Sequence, residues 1–106
     1  MFNRQKIVIN ILDMLQDGVS SLKLQKLLYL YSEENCSKKR LYDFVPYNYG
    51  CYSFTLHKDQ IKLEKEKFID IQRFNDSRFS FISLNKDSEI PKITNVVKQS
   101  IKEFIE

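Results

Sequence analysis

The sequence predicts one mainly helical α+β domain, ordered as three helices, a β-hairpin and a final helix. Three observations carry this. The 106 residues suffice for a single core and not for two, so residues 1–106 read as one domain. Apolar residues make up 42% and charged residues 29%, the balance of a folded chain and not of a disordered one. Two Gly and two Pro are too few for a many-turned β-sandwich and suit long elements with few corners. Eight Phe and six Tyr supply core volume without disulfides or metal.

The first helix is expected from Arg4 to Gln16, where Ile7, Ile11, Met14 and Leu15 recur at helical spacing and Val8 and Leu12 broaden the stripe. Asn3 is the expected N-cap and Gly18 the left-handed stop. The second helix begins after Ser20, a good cap, with Val19 and Leu24 placed as a hydrophobic staple. Its body, Ser21 to Glu34, turns Leu24, Leu27, Leu28 and Tyr31 inward. From Asn35 to Gly50 the periodicity fails, which predicts an aromatic loop that packs back on the body. Ser53 caps a third helix, Phe54 to about Lys67, with Leu56, Ile61 and Leu63 inward. Phe68 to Phe74 and Arg78 to Leu84, separated by Asn75, Asp76 and Ser77, predict a β-hairpin. Phe79 and Phe81 share one of its faces, Ile82 and Leu84 the other. Pro91 suits the first turn of a last helix, where Ile93, Val97, Ile101 and Phe104 repeat. Its apolar strip of Ile101, Phe104 and Ile105 fits a homodimer contact or burial against the first helix. Three helices followed by a hairpin is the order of a winged helix-turn-helix.

The residues point to binding and not to catalysis, with no cofactor or metal. His57 is the only histidine, and no Cys, Asp or Glu stands near it at ligand spacing. Cys36 and Cys51 are too few and too far apart for a disulfide framework, and they read as buried or half-buried thiols. Glu33-Glu34 and Glu64-Glu66 point apart on their helices and make no acid/base pair. Gly18 and Gly50 cannot form a phosphate-cradling loop. The N-terminus leads into no apolar run of signal or membrane length, so a cytoplasmic protein without a membrane partner is expected.

The formal charge of +3 permits nucleic-acid binding without demanding it. Two candidate surfaces follow. One is the aromatic stretch, with Tyr47, Tyr49 and Tyr52 beside the basic run Lys38, Lys39 and Arg40. Such rings anchor protein interfaces or stack bases, although most are expected to pack inward. The other is the third helix with His57, Lys58, Lys62 and Lys65, joined by Arg73 and Arg78 of the hairpin. There Glu64 and Glu66 would oppose phosphates.

Lys23-Leu24-Gln25-Lys26-Leu27-Leu28-Tyr29-Leu30 resembles the KLQKLLY helix of Panacea (SocA-like) antitoxin domains. In that family a YGP element and a helix ending in an apolar pair follow. Here Tyr49-Gly50 is kept, Cys51 replaces the proline, and Phe68-Ile69 supplies the pair. The stretch from Tyr42 to Phe54 is similar to an N-terminal region of longer bacterial proteins carrying YDFVPYKYGCFSF. Together the matches span roughly Ser20 to Ile69. The Panacea resemblance implies a winged-helix-like body that acts by binding a protein toxin, or that sits beside mobile and defence genes. The longer relatives carry a second domain and no counterpart is visible in these 106 residues, so a stand-alone protein is the expectation, with a fragment of a longer protein as the other reading. The short chain therefore fits a phage- or mobile-element-encoded inhibitor of a host protein, such as a defence nuclease. A winged-helix DNA- or RNA-binding regulator is the alternative.

Overall fold

The structure is a computed structural model, and residues 1–35, 41–47, 50–74 and 80–105 are described. Along the chain lie α1 (Asn3–Leu15), β1 (Val19–Ser20), α2 (Ser21–Asn35), β2 (Val45–Tyr47), β3 (Gly50–Tyr52), α3 (Phe54–Lys65), β4 (Ile69–Arg73), β5 (Ser80–Leu84) and α4 (Asn95–Ile105). The fold is α+β: four helices with two small antiparallel sheets among the described residues.

In α1 Ile7, Val8, Ile11 and Leu12 are in the core as their spacing requires, Met14 and Leu15 pack at its edge half-buried, and Ile9, outside the expected stripe, is fully buried. Its start differs from expectation. Asn3 is already helical, and Phe2 takes the extended N-cap conformation with no side chain to cap. The first turn is closed by Gln5, whose Oε1 accepts the Phe2 N–H at 3.2 Å. Its end also differs, because Gln16 takes the positive φ, 61°, that was expected of Gly18.

Gly18 has another task. At φ +82°, a Cβ there would stand 2.8 Å from both the Ile82 carbonyl oxygen and the Phe81 ring. The missing side chain lets the chain enter β1, a two-residue strand that the sequence pattern did not reveal. β1 pairs Val19 with Ile82 and Ser20 with Phe81. The sheet order is β1-β5-β4, so the predicted hairpin lies beside the link between the first two helices.

Ser20 caps α2 as expected, its Oγ accepting the Lys23 N–H at 3.1 Å. Leu24, Leu28 and Tyr31 are buried and Leu27 packs at their edge. The predicted hairpin forms in register, Ile69 opposite Leu84 and Ile71 opposite Ile82. Alternation puts Ile69, Ile82 and Leu84 on the core side and leaves Phe81 exposed. Its turn, Asn75 to Ser77, and Phe79 lie outside the described residues.

Three further expectations are corrected. The stretch from Asn35 to Gly50 is not simply a loop, because β2 pairs with β3 through Val45–Tyr52, Pro46–Cys51 and Tyr47–Gly50. Alternation there was hidden, since both strands are exposed along most of their length and carry no buried face. Pro91 does not open the last helix. Thr94 does, its Oγ1 accepting the Val97 N–H at 3.2 Å, while the Pro91 carbonyl accepts from Asn10 Nδ2 at 3.1 Å. The helix α3 stops at Lys65, where Lys67 turns to φ 66° and the Phe68 N–H reaches the Leu63 carbonyl at 2.9 Å. That is a Schellman ending with lysine in the position glycine usually holds.

The strip on α4 is used inside the chain. Ile101 is buried, the Phe104 ring meets Tyr31 edge-on at 5.5 Å, and Tyr31 Oη is 2.7 Å from Ser100 Oγ. Val96, 80% exposed, is the apolar residue that α4 leaves outside. Among the described residues no helix is long and apolar enough to cross a membrane.

Candidate functional site

The site grows from the point where α2 meets the start of α3. Gln25, within the KLQKLLY-like segment, is buried and grips the backbone of Ser53 from both sides. Its Nε2 donates to the Ser53 carbonyl at 3.1 Å, and its Oε1 accepts the Ser53 N–H at 2.8 Å. Ser53 Oγ then accepts the Leu56 N–H at 3.1 Å and starts α3, as expected of it. The stretches from Lys23 to Leu30 and from Tyr42 to Phe54 are thus joined physically. One amide side chain of the first holds the end of the second.

Inside this joint α3 turns two polar residues inward. Asp59, 4% exposed, accepts from Arg4 Nε at 2.8 Å, Gln5 Nε2 at 2.9 Å and Tyr42 Oη at 2.6 Å. Burial pushes its carboxyl up, but these hydrogen bonds and the Arg4 charge outweigh that and hold it below the ordinary value. Burial, with the Asp59 carboxylate beside it, drives the Tyr42 phenol far above its usual range. Tyr42 is therefore a locked core residue, which is the inward packing expected of the aromatic stretch.

Tyr47 and Tyr52 behave differently. Their rings lie 5.1 Å apart, and each meets Phe54 edge-on, at 5.7 and 5.0 Å. Tyr47 and Phe54 remain 53% and 54% exposed, while Tyr52 is half-buried under them. Rings this close leave no slot between them for a base or a cation. What they offer outward is a ring-lined surface. Cys51 beside them is exposed, against the expectation of a buried or half-buried thiol. The cleft between α2 and β2, about 190 Å³, falls below the range that holds a cofactor-sized molecule.

The cations are divided. Lys58 and Lys62 are exposed on α3, with Lys62 Nζ 5.8 Å from the exposed Phe2 ring. Arg73 is not free, since its two terminal nitrogens hold both oxygens of Glu64, at 2.8 and 2.9 Å. The Arg73 guanidinium holds the Glu64 carboxyl below its usual value. Of the other candidates, Lys38, Lys39, Arg40, Tyr49 and Arg78 lie outside the described residues. Among the described residues no group of three or more metal-ligating side chains occurs.

Two residues of the surface escaped the sequence reading. Phe54 was placed only as the start of a helix, and Ile61 was expected inside but is 44% exposed. At 100° per residue Ile61 lies about 140° from Leu56 and about 160° from Leu63, so those leucines exclude it from the core line. Asp59 and Gln60 flank that line and are buried in its place. No protein-family model and no curated protein matches the chain.

Proposed function

We propose that the chain is a protein-interaction module of winged-helix type that acts by binding, in the manner of an antitoxin or anti-defence inhibitor. The observation that carries this is the ring cluster of Tyr47, Tyr52 and Phe54 at the β2–β3 pair and the first turn of α3, with Tyr47 and Phe54 exposed on the half-buried Tyr52. Large aromatic surface left in water is unfavourable for a monomer and is the usual material of interface anchors. The sheet order β1-β5-β4, with α3 leading into its hairpin, supports the winged-helix body. The Panacea resemblance of Lys23 to Leu30 supports a protein target, either a toxin or a host defence protein such as a nuclease.

The test is capture of a partner by the tagged chain, compared with Tyr47→Ala and Tyr52→Ala variants at low and high salt. Retention by the wild-type chain at both salts, with loss in both variants, is the expected result. Equal capture by wild type and variants overturns the reading.

One observation favours a nucleic-acid regulator as the second reading. Glu64 is neutralised by Arg73 and Asp59 by Arg4, so of the carboxylates of α3 and its C-cap only Glu66 is left to oppose phosphates beside Lys58 and Lys62. That reading requires duplex binding that weakens steeply with salt and is lost on Lys58→Glu with Lys62→Glu.

A further inference from the structure

We infer that the outward face of α3 is a docking strip for an acidic amphipathic segment of the protein partner, an inference that rests on the protein-binding reading above. The centre line of this face reads Phe54, Lys58, Ile61 and Lys65, spaced as neighbours on successive turns. Its two apolar members, both about half exposed, stand seven residues and therefore about 10 Å apart along the axis. Lys58 and Lys65 separate and end them, and Lys62 flanks the line beside Phe2.

The carboxylates of the same helix are withdrawn from this face. Asp59 is buried under Arg4, Gln5 and Tyr42, and Glu64 is held by both terminal nitrogens of Arg73. Glu66 follows at the C-cap, about 120° around the helix from Phe54. The face therefore offers alternating apolar and cationic positions with no unpaired carboxylate of α3 between Phe54 and Lys65.

The complement of such a face is a helix with apolar anchors two turns apart and carboxylates between them. A nucleic-acid duplex would meet the lysines. It would also have to dehydrate Phe54 and Ile61 against phosphate and sugar, with Arg73 already spent on Glu64. An acidic protein segment satisfies both kinds of residue at once. The strip runs directly into Tyr47 and Tyr52 through Phe54, so one partner segment can span both.

The probe is a fluorescent synthetic helix with leucines at positions i and i+7 and glutamates between them, titrated with the full chain. Controls are the same peptide with serine for leucine, the same peptide with lysine for glutamate, and a short DNA duplex. Binding of the acidic leucine peptide is expected, weakened about tenfold by Ile61→Ser and about tenfold by Lys58→Glu with Lys65→Glu. The charge-reversed variant should in turn bind the lysine peptide. These side chains are exposed, so unchanged thermal unfolding of each variant checks that the fold is intact.

Absent binding of the acidic peptide, equal binding of all peptides, or binding of duplex alone overturns the inference. If a captured partner is lost on Tyr47→Ala but unaffected by Ile61→Ser and the charge reversal, this inference falls and the protein-binding reading stands. If Tyr47→Ala also leaves capture unchanged, both fall.

Discussion

The two faces of α3 stand in contrast, one burying a carboxylate and the other exposing apolar side chains. On the inner face a carboxylate, Asp59, is fully enclosed and meets three donors from α1 and the 41–44 segment. On the outer face two large apolar side chains, Phe54 and Ile61, stand in water between lysines. Energetics explains the first arrangement. A buried charge persists only when its lone pairs are satisfied, and removing one partner leaves the rest stranded. It does not explain the second, because neither exposed residue contributes to the core. The lesson is that the inner face accounts for the fold and the outer face for what the fold presents.

The largest effect should come from breaking the inner face. Asp59→Ala strands Arg4, Gln5 and Tyr42 and should cost about 2–4 kcal/mol in urea unfolding at neutral pH. Because Asp59 titrates below its ordinary value in the fold, its contribution is present above about pH 4 and disappears as the pH falls through the lower folded value. The gap between wild type and Asp59→Ala should therefore close in acid. A gap that persists unchanged at low pH would mean the carboxylate is not what stabilises the joint.

A smaller effect is expected of Tyr42→Phe, which removes one donor to Asp59 and leaves the ring in place. The cost should be about 1–2 kcal/mol near neutral pH. The Tyr42 phenol is raised in the fold, so its contribution is complete below about pH 10 and is lost as the pH climbs toward the higher folded value. Unfolding curves at neutral pH and above about pH 10 should show the wild type losing its advantage over Tyr42→Phe.

The smallest effect is a gain. Gln60 Nε2 is buried with no hydrogen-bond partner among the described residues. Gln60→Met keeps the length of the side chain and removes the stranded donor, and should raise stability by up to about 1 kcal/mol. A loss of stability instead would show that the amide has a structural partner of its own.

Much of the fold was legible because local rules and tertiary packing agreed. Ser20 and Ser53 mark helix starts by a local rule, since each accepts an N–H within its own first turn. The stripes of α1 and α2 and the alternation in β5 were buried as their spacing demanded. The misses came where no local signal exists. β1 is two residues long and is a strand only because β5 lies beside it. β2 and β3 have little buried face to betray them, and Pro91 suited a helix start that Thr94 took. Of the surface, Tyr47, Tyr52, Lys58 and Lys62 were legible as residue types. Phe54 and Ile61 were not, because a lone Phe or Ile is assigned to the core by default.

By itself the sequence determined the helices with strong caps and stripes, the core hairpin and, with only two glycines, the lack of a glycine-rich phosphate loop. These follow from interactions within a few residues, or from simple counting. Only the tertiary structure decided which tyrosines are locked and which are offered, since Tyr42 meets the buried Asp59 while Tyr47 meets the half-exposed rings of Tyr52 and Phe54. It alone also decided that Arg73 is spent on Glu64 and Asp59 on Arg4, leaving the lysines of α3 without an opposing carboxylate on their own face. The physical reason is that charge pairing and exposure belong to pairs of residues far apart in sequence, and no local pattern encodes who the distant partner will be.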